Sequence, residues 1–155
     1  MHYRLYRPGD FPQLYAIELA CFQPPIRFSR RYMQQLIADP DSATWIAESK
    51  SAEQEDQMTG FAIVNWAKHD TQTIAYIQTL EVAPTHRHRG IGTELLHRLE
   101  ASAIAAGAQI LWLHVAETNP AAIRLYQSHG FQPQSREENY YTHSLHALIL
   151  SKTLP

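Results

Sequence analysis

Short stretches in which apolar and polar residues alternate, or in which nearly every residue is apolar, recur along the chain. Such stretches predict β-strands, because successive side chains of a strand point to opposite faces of a sheet. Seven strands are predicted, at residues 2–6, 44–48, 60–67, 73–82, 109–115, 131–141 and 143–152. The almost wholly apolar stretch at 109–115 is typical of a central strand.

Four other segments have the spacing and the end signals of α-helices, at residues 10–22, 29–38, 91–106 and 119–130. Asp10, Ser29 and Asn119 stand where an N-cap side chain would accept a hydrogen bond from the first turn. Pro120 suits the first helical position, and Gly107 is expected to end the third helix. Apolar residues four apart predict a buried stripe in that helix, made of Ile91, Leu95, Leu99 and Ala103.

The order of these elements is one strand, two helices, three strands, a helix, a strand, a helix and two strands. This order predicts an α/β protein in which a mixed sheet is flanked by helices. A chain of 155 residues suffices for a sizeable core, so residues 1–155 are expected to form one domain. The polar stretch at 49–58 is expected to be the hairpin connection between two strands.

The composition of the chain limits the kinds of molecule that it is expected to bind. A hydrophobic share of 45% and a charged share of 18% are typical of a globular protein in water. A formal net charge of -2 does not predict a nucleic-acid-binding surface. The N-terminal residues contain no long apolar run, so neither a signal peptide nor a membrane span is expected. We therefore expect a cytoplasmic protein, either a monomer or a homodimer, without nucleic-acid or membrane partners.

Cysteine and histidine usage gives no sign of a metal site. The single cysteine, Cys21, excludes an internal disulfide, and its apolar helical setting indicates a small core residue. Among the 9 histidines, His86 and His88 flank Arg87, whose charge disfavours a cation. The other histidines are scattered without the spacing of metal ligands, so no metal is expected.

Residues 87–93 are the most informative segment, because they follow a predicted strand and open a predicted helix. Gly90 and Gly92 allow the backbone to approach a ligand closely. The first N–H groups of a helix lack intrahelical partners, and the helix dipole favours an anion there. Arg87 and Arg89 add charge that suits phosphate oxygens. The segment therefore predicts a phosphate-bearing ligand, with an ordinary helix cap as the alternative.

A second motif follows at residues 119–131, which read Asn-Pro-Ala-Ala-Ile-Arg-Leu-Tyr-Gln-Ser-His-Gly-Phe. Together the two motifs resemble the Gcn5-related N-acetyltransferase family. That family has an Arg/Gln-x-x-Gly-x-Gly/Ala loop, followed about 35 residues later by an Asn…Ala…Leu-Tyr…Gly-Phe segment. The resemblance covers residues 59–153 well and the N-terminal third more loosely.

The resemblance implies a single-domain fold with a mixed, mostly antiparallel sheet of about seven strands flanked by four helices. It also implies acetyl-CoA as a co-substrate, bound by a core at about residues 73–131, and no metal. The residues expected to bind acetyl-CoA are Leu80, Glu81, Val82, Arg87, His88, Arg89, Gly90, Ile91, Gly92, Thr93, Asn119, Ala122 and Tyr126.

Acetyl transfer to an amine needs a group that removes a proton from that amine. His114 is expected to do so, because imidazole titrates near neutral pH, with a buried structural histidine as the alternative. Tyr76 and Gln78 share a strand face by parity, and Tyr76 is expected to reach the same cleft as His114 unless it only packs.

The strand segments around Tyr76 and His114, together with residues 139–141, resemble the eukaryotic N-terminal acetyltransferases of the NatE type. In those enzymes a tyrosine and a histidine at these positions deprotonate the amine through water. The bacterial ribosomal-protein N-terminal acetyltransferases are similar too, but they have glutamate at the position of His114. This difference favours the tyrosine–histidine mechanism for the present chain.

Two further side chains complete the expected chemistry. Glu81 is the competing base, although simple alternation puts it on the face opposite Tyr76 and only a β-bulge would change this. Its alternative role is to pair with a nearby arginine or histidine. The resemblance implies that Tyr126 lies near the CoA sulfur, where a phenol can protonate the leaving thiolate, unless it is a packing aromatic. A backbone N–H near Leu80 or Val82 is expected to bind the oxyanion.

On the acceptor side, the resemblance implies two lips of a peptide groove. Apolar residues of the loop at 22–28 are expected to form a small pocket, unless its two prolines only stiffen a connection. The hydroxyls of two tyrosines near the C-terminus are expected to form hydrogen bonds with the peptide backbone. The expected substrate-binding residues are Phe22, Pro24, Ile26, Gln78, Tyr140 and Tyr141.

The leading hypothesis is an acetyl-CoA-dependent N-acetyltransferase that modifies the N-terminal α-amine of a protein or peptide. A second hypothesis changes only the acceptor, to a small-molecule amine. A third is a sensor that binds acyl-CoA without turnover. A sensor has no need of Tyr76, His114 and Tyr126, so the presence of all three favours catalysis.

Overall fold

Seven strands hydrogen-bond into one sheet in the computed structural model, which describes all 155 residues. The strands are β1 (His2–Leu5), β2 (Ser42–Ser49), β3 (Gln57–His69), β4 (Gln72–Val82), β5 (Ile110–Ala116), β6 (Gln132–Thr142) and β7 (Leu145–Thr153). Their order across the sheet is β1-β2-β3-β4-β5-β7-β6, and only β4 and β5 run parallel. The helices are α1 (Phe11–Cys21), α2 (Arg30–Ala38), α3 (Ile91–Ala105) and α4 (Pro120–Ser128). The predicted mixed, mostly antiparallel sheet with four helices is confirmed.

The sheet has a hydrophobic core on each face. On β3, Ala62 and Val64 pack into the core beneath α3, whereas Phe61 and Ile63 pack into the core beneath α1 and α2. This split follows from strand alternation. The predicted stripe on α3 is confirmed, because all four of its residues are buried in the first core: Ile91, Leu95, Leu99 and Ala103.

Two of the three predicted helix caps are confirmed. The Ser29 hydroxyl accepts from the Tyr32 N–H at 3.1 Å, and the Asn119 carbonyl oxygen accepts from the Ala122 N–H at 3.2 Å. The prediction for Asp10 is wrong, because its carboxylate makes no cap hydrogen bond to α1.

Arg4 is the reason that Asp10 does not cap α1. Its guanidinium donates to both carboxylate oxygens, at 2.8 and 2.9 Å, and the Arg7 N–H donates to the same group at 2.7 Å. These charge-assisted bonds outcompete a neutral cap. They hold the pKa of Asp10 below its usual value, with the Arg4 hydrogen bond as the largest cause.

The strands are longer than predicted at their polar ends. β3 continues to His69 and β4 begins at Gln72, so the two strands turn tightly through Asp70, whose φ of 57° is left-handed. The exposed residues at this end do not alternate between apolar and polar, so the sequence pattern does not predict that the strands continue through them. One-turn 3₁₀ helices at Pro8–Asp10 and Pro84–His86 were not predicted.

An irregularity in β4 sets the geometry of the cleft. Ile77 pairs with Val64 and Thr79 pairs with Ile63, so Gln78 is one extra residue in β4. Pairing between β4 and β5 also ends at Ile77 and Leu113. Beyond that point β5 continues to pair with β7 while β4 stays with β3, and the two parallel strands are no longer joined. A gap therefore opens in the middle of the sheet.

Candidate active site

Two neighbouring cavities lie along this gap. The first, here called the central cavity, has a volume of about 370 Å³ and reaches from β4 and β5 to the loop after α1. The second, here called the loop groove, has a volume of about 410 Å³ and runs along the start of α3. The two cavities share four wall residues, which are Phe22, Leu80, Asn119 and Ala122. A molecule seated in the loop groove can therefore reach the central cavity.

Tyr76 and His114 meet in the central cavity, as the parity argument expected. The Tyr76 hydroxyl lies 2.8 Å from Nδ1 of His114, and the His114 side chain is only 9% exposed. The Tyr140 ring stacks on the imidazole with a centroid distance of 4.0 Å and an interplanar angle of 3°. Burial, followed by a hydrogen bond with the Tyr140 hydroxyl, raises the pKa of Tyr76 above its usual value. Tyr76 therefore keeps its proton and can donate it to the histidine.

The C-terminal hairpin brings Tyr140 and Tyr141 to the cavity. The register between β6 and β7 is irregular between Glu137 and Thr142, and Asn139 adopts a left-handed φ of 55°. The Asn139 side chain accepts from the Ser144 N–H at 2.8 Å, which fixes this bend. Burial raises the pKa of Tyr141 to about 12. Tyr141 therefore presents a protonated hydroxyl in the cavity that contains His114.

Tyr126 enters the same cavity from α4. Its side chain is buried among the residues beneath α3, and its ring lies edge-on to Phe131 at a centroid distance of 5.5 Å. Its hydroxyl makes no hydrogen bond within the protein. Burial, more than the nearby Tyr141 and Glu81, raises the pKa of this phenol. The group is therefore a protonated donor whose hydrogen-bonding capacity is free.

The expected orientation of Glu81 is wrong. Simple alternation put Glu81 opposite Tyr76, but the extra residue Gln78 reverses the parity of everything after it. Glu81 pairs with Phe61, whose side chain packs beneath α1 and α2, so it lies on the face that also carries Tyr76. It is only 3% exposed, lines the loop groove and does not line the central cavity.

Glu81 forms a buried carboxyl pair with Glu18 of α1, which the sequence analysis did not single out. The two carboxyl groups are close enough for each to affect the pKa of the other, and Thr79 donates to Glu81 at 2.6 Å. Glu18 is only 1% exposed. Burial is the largest cause that raises the pKa of both groups above the usual value, and each has one oxygen with no other partner. One proton between the two orphaned oxygens satisfies both.

The Glu81→Gln variant tests this shared proton through stability. The folded pair holds a proton that the unfolded chain releases above pH 4.5, the ordinary value for glutamate. The free energy of unfolding of the wild type should therefore fall as the pH rises from there, by up to about 1.4 kcal/mol per pH unit. The amide of the variant donates to Glu18 at every pH, so its urea unfolding at pH 8 should show a higher stability than that of the wild type.

The exposed residue Glu55 supplies the matched control for that measurement, because Glu55→Gln removes a carboxylate that faces solvent. Its unfolding free energy should follow that of the wild type at each pH. Equal pH slopes for Glu81→Gln and Glu55→Gln would show that the pair holds no extra proton.

The loop groove contains most of the residues expected to bind acetyl-CoA. Its walls include Leu80, Glu81, Val82, Arg87, His88, Gly90, Ile91, Gly92, Thr93, Asn119 and Ala122. Arg89 lies outside both cavities, and Tyr126 lines only the central one. Gly90 precedes α3 with a left-handed φ of 80°, and a Cβ at this position would meet no atom within 4 Å. The first-turn N–H groups of α3 therefore face an open groove that suits a pyrophosphate.

Cys21 is half-buried: it packs against the core beneath α1 and α2, as expected, and it also lies in the wall of the loop groove. Its thiol donates to the Val82 carbonyl at 3.5 Å and accepts from the Arg87 guanidinium at 3.5 Å. Burial, followed by the charge of Glu81, raises the pKa of the thiol to about 11. The thiol is therefore protonated at neutral pH and is a poor nucleophile.

The residues expected to bind the substrate lie together, with one exception. Phe22, Ile26, Gln78, Tyr140 and Tyr141 line the central cavity, whereas Pro24 does not and its neighbour Pro25 does. No group of three or more histidine, cysteine, aspartate or glutamate side chains has a geometry that could hold a metal ion. None of the helices is both long enough and apolar enough to cross a membrane.

Comparison with known proteins decides the family. The profile of the Acetyltransferase (GNAT) family matches residues 11–131, which is most of the chain. The chain belongs to this family. The family that the two sequence motifs predicted is thereby confirmed.

Individual members of the GNAT family resemble the chain over different lengths. The [ribosomal protein bS18]-alanine N-acetyltransferase of Salmonella typhimurium is 36% identical over 87 residues, and the streptothricin acetyltransferase of Streptomyces lavendulae is 32% identical over 121 residues. These matches cover 56% and 76% of the present chain but only 56% and 61% of the relatives. The solved structure of Arabidopsis thaliana NAA60 with a bisubstrate analogue has a TM-score of 0.82 at 25% identity and covers 99% of this chain and 97% of its own.

Proposed function

We propose that the protein is an acetyl-CoA-dependent N-acetyltransferase whose acceptor is the N-terminal α-amine of a protein or peptide. The observation that carries this proposal is the pairing of Tyr76 with His114 in a cavity that also contains the free hydroxyl of Tyr126. A proton acceptor and a proton donor thus flank one space, which adjoins the loop groove. Acetyl transfer from a thioester to an amine needs this combination.

Acetyl-CoA would bind in the loop groove. The N–H groups at the start of α3 and the Arg87 side chain would bind the pyrophosphate, because both suit anionic oxygens. The guanidinium of Arg87 already contacts the groove wall at Val82, where its Nε donates to the carbonyl at 3.2 Å. The thioester would then extend past the shared wall residues into the central cavity.

Proton movements in the central cavity follow from the hydrogen bonds. As the acceptor nitrogen bonds to the thioester carbon, its proton passes to the Tyr76 oxygen while the Tyr76 proton passes to Nδ1 of His114. The amine loses one N–H bond, His114 gains one, and the Tyr76 phenol is protonated at the end as it was at the start. Tyr126 gives its hydroxyl proton to the sulfur when the C–S bond breaks, and later regains a proton from water.

The walls of the central cavity support a peptide as the acceptor. Of its 18 lining residues, 11 are hydrophobic, and Phe22 and Ile26 supply part of this apolar surface. Tyr140 and Tyr141 line the same cavity, and their hydroxyls suit the carbonyls and N–H groups of a peptide backbone. The relative from Salmonella is by name a [ribosomal protein bS18]-alanine N-acetyltransferase, and the structure of NAA60 contains a bisubstrate analogue.

Release of the CoA thiol, measured with a panel of amines, tests the proposed acceptor. We expect turnover with short peptides that have a free α-amine, and none with the same peptides after N-terminal blocking, even when they contain lysine. A panel of polyamines, amino acids and streptothricin represents the small-molecule alternative, which the relative from Streptomyces favours. Faster turnover of a small amine than of every peptide would replace the proposed acceptor. Binding of acetyl-CoA without thiol release from any amine would indicate a sensor.

The Tyr126→Phe variant separates proton donation from packing, because it removes one hydroxyl from a ring that stays buried. If the hydroxyl protonates the thiolate, kcat should fall by about 10²-fold with little change in the Kd of acetyl-CoA. The matched control is Tyr6→Phe, which removes a hydroxyl that donates to the Pro8 carbonyl and lines neither cavity. Normal kcat in Tyr126→Phe would reduce this residue to a packing aromatic.

A further inference from the structure

Glu137 of β6 contacts the second ring nitrogen of His114. Its Oε2 lies 2.8 Å from Nε2, so the histidine is held at both nitrogens, by Tyr76 on one side and by Glu137 on the other. The carboxylate is 50% exposed while the imidazole that it touches is almost enclosed. Neither sequence motif includes Glu137, and nothing in the sequence pattern distinguishes it from its exposed neighbours on β6.

This contact determines which nitrogen of the neutral ring carries the hydrogen. An ionised carboxylate only accepts hydrogen bonds, so Nε2 must donate to Glu137. Nδ1 is then left with a lone pair that faces the Tyr76 hydroxyl. Because burial raises the pKa of Tyr76, the phenol is protonated and donates to that lone pair. The resulting chain runs in one direction, from Tyr76 through His114 to Glu137.

We propose that Glu137 is a positioning residue of the active site, which holds His114 as the Nε2–H tautomer and stabilises the imidazolium that forms when Nδ1 accepts a proton. The proposal rests on the proposed acetyl transfer. Glu137 acts only through His114, since its carboxylate contacts the ring nitrogen that faces away from Tyr76. The proton gained at Nδ1 leaves two N–H groups on the ring, and the carboxylate balances the positive charge.

The surroundings of the ring make Glu137 the one group with this role. The imidazole otherwise touches aromatic rings, those of Trp112 at a centroid distance of 5.2 Å and Tyr140 at 4.0 Å. The neighbouring carboxylate of Glu138 is bound by Arg136 at 2.9 Å and does not contact His114. Arg136 in turn is held by Glu117 at 2.6 Å. Glu137 therefore faces the histidine without a competing cation in hydrogen-bond contact.

Kinetics of three variants test the proposal. Glu137→Ala should lower kcat by about tenfold without raising the KM of the acceptor, an effect kept modest by solvent screening of a half-exposed carboxylate. Glu137→Gln keeps a hydrogen-bond acceptor for Nε2–H but lacks the charge, so its kcat should lie between those of Glu137→Ala and the wild type. Glu138→Gln is the matched control and should leave kcat unchanged. A raised KM with normal kcat would show that Glu137 binds the acceptor instead.

A spectroscopic measurement separates this inference from the proposed function, because it needs no turnover. A long-range hydrogen–nitrogen NMR correlation spectrum of ¹⁵N-labelled protein reports the tautomer of each histidine, and His114→Gln identifies the signal to follow. The wild type and Glu138→Gln should show His114 as the Nε2–H tautomer, and Glu137→Ala should show a mixture. An unchanged tautomer in Glu137→Ala would overturn the inference. Absence of acetyl transfer to any amine would instead overturn the proposed function.

Discussion

His114→Ala should lower kcat/KM for a peptide acceptor by about 10²–10⁴-fold, the usual contribution of a general base. The imidazole lies 2.8 Å from the Tyr76 hydroxyl, and alanine leaves that phenol with no acceptor for its proton. Thiol release measured against pH provides a second readout. The activity of the wild type should fall at acidic pH, where histidines ordinarily become protonated, and this dependence should vanish in the variant.

Three comparisons make that result specific. Tyr76→Phe should also be severe, and Tyr76→Phe combined with His114→Ala should be little worse than either change alone, because the two residues act as one unit. His97→Ala, at an exposed position on α3, controls for loss of a histidine. Glu81→Gln should be mild, since its carboxyl group lies outside the central cavity. A severe Glu81→Gln defect beside an active His114→Ala enzyme would falsify the assignment and point to a carboxylate base.

Gly90→Asp should abolish measurable binding of acetyl-CoA, which we expect as an increase in Kd of at least about 100-fold. The new side chain would project into the open loop groove, where its negative charge repels a pyrophosphate at the start of α3. The left-handed φ of 80° adds backbone strain for any residue with a Cβ. Isothermal titration calorimetry with acetyl-CoA measures the loss directly and requires no acceptor.

Gly107→Asp is the matched control for that strain. Gly107 has a left-handed φ of 85°, and a Cβ there also meets no atom within 4 Å, but it follows the far end of α3. Both variants should lose a similar amount of stability in thermal unfolding, but only Gly90→Asp should lose the ability to bind acetyl-CoA. Normal affinity in a folded Gly90→Asp protein would mean that the pyrophosphate binds elsewhere.

The sheet and its helices could be predicted because local patterns agree with the tertiary structure. The apolar stripe of α3 and the cap of α4 at Asn119 follow directly from residue type and spacing. Asp10 shows the limit of this reasoning. Its type and position suit a cap, but Arg4 of the preceding strand binds its carboxylate in the folded chain. A partner on a neighbouring element leaves no signal in the local cap pattern.

The candidate site, like the fold, could be predicted only where local patterns in the sequence indicate it. Tyr76 and His114 share a cavity because parity on neighbouring strands is a simple rule. Glu18 had a recognisable signal, since a charged residue stood among apolar residues on a helical face, and the structure buries it against Glu81. Glu137 had none. It reaches His114 from the edge strand β6, which is separated from β5 by β7 alone.

The extra residue in β4 also divides that strand into two parts with opposite phase. Before Gln78 the odd-numbered residues face α3, and after it the even-numbered residues do, as Ile77 and Leu80 show. If the bulge closed and Gln78 took a regular place opposite Ile63, the two faces would exchange from Thr79 onward. Glu81 would then enter the apolar core beneath α3, and Leu80 would take its place beside Glu18. Chimaeras that join this strand to a relative's must therefore keep the bulge as well as the residue types, because a register slip of one residue turns a polar wall into an apolar one.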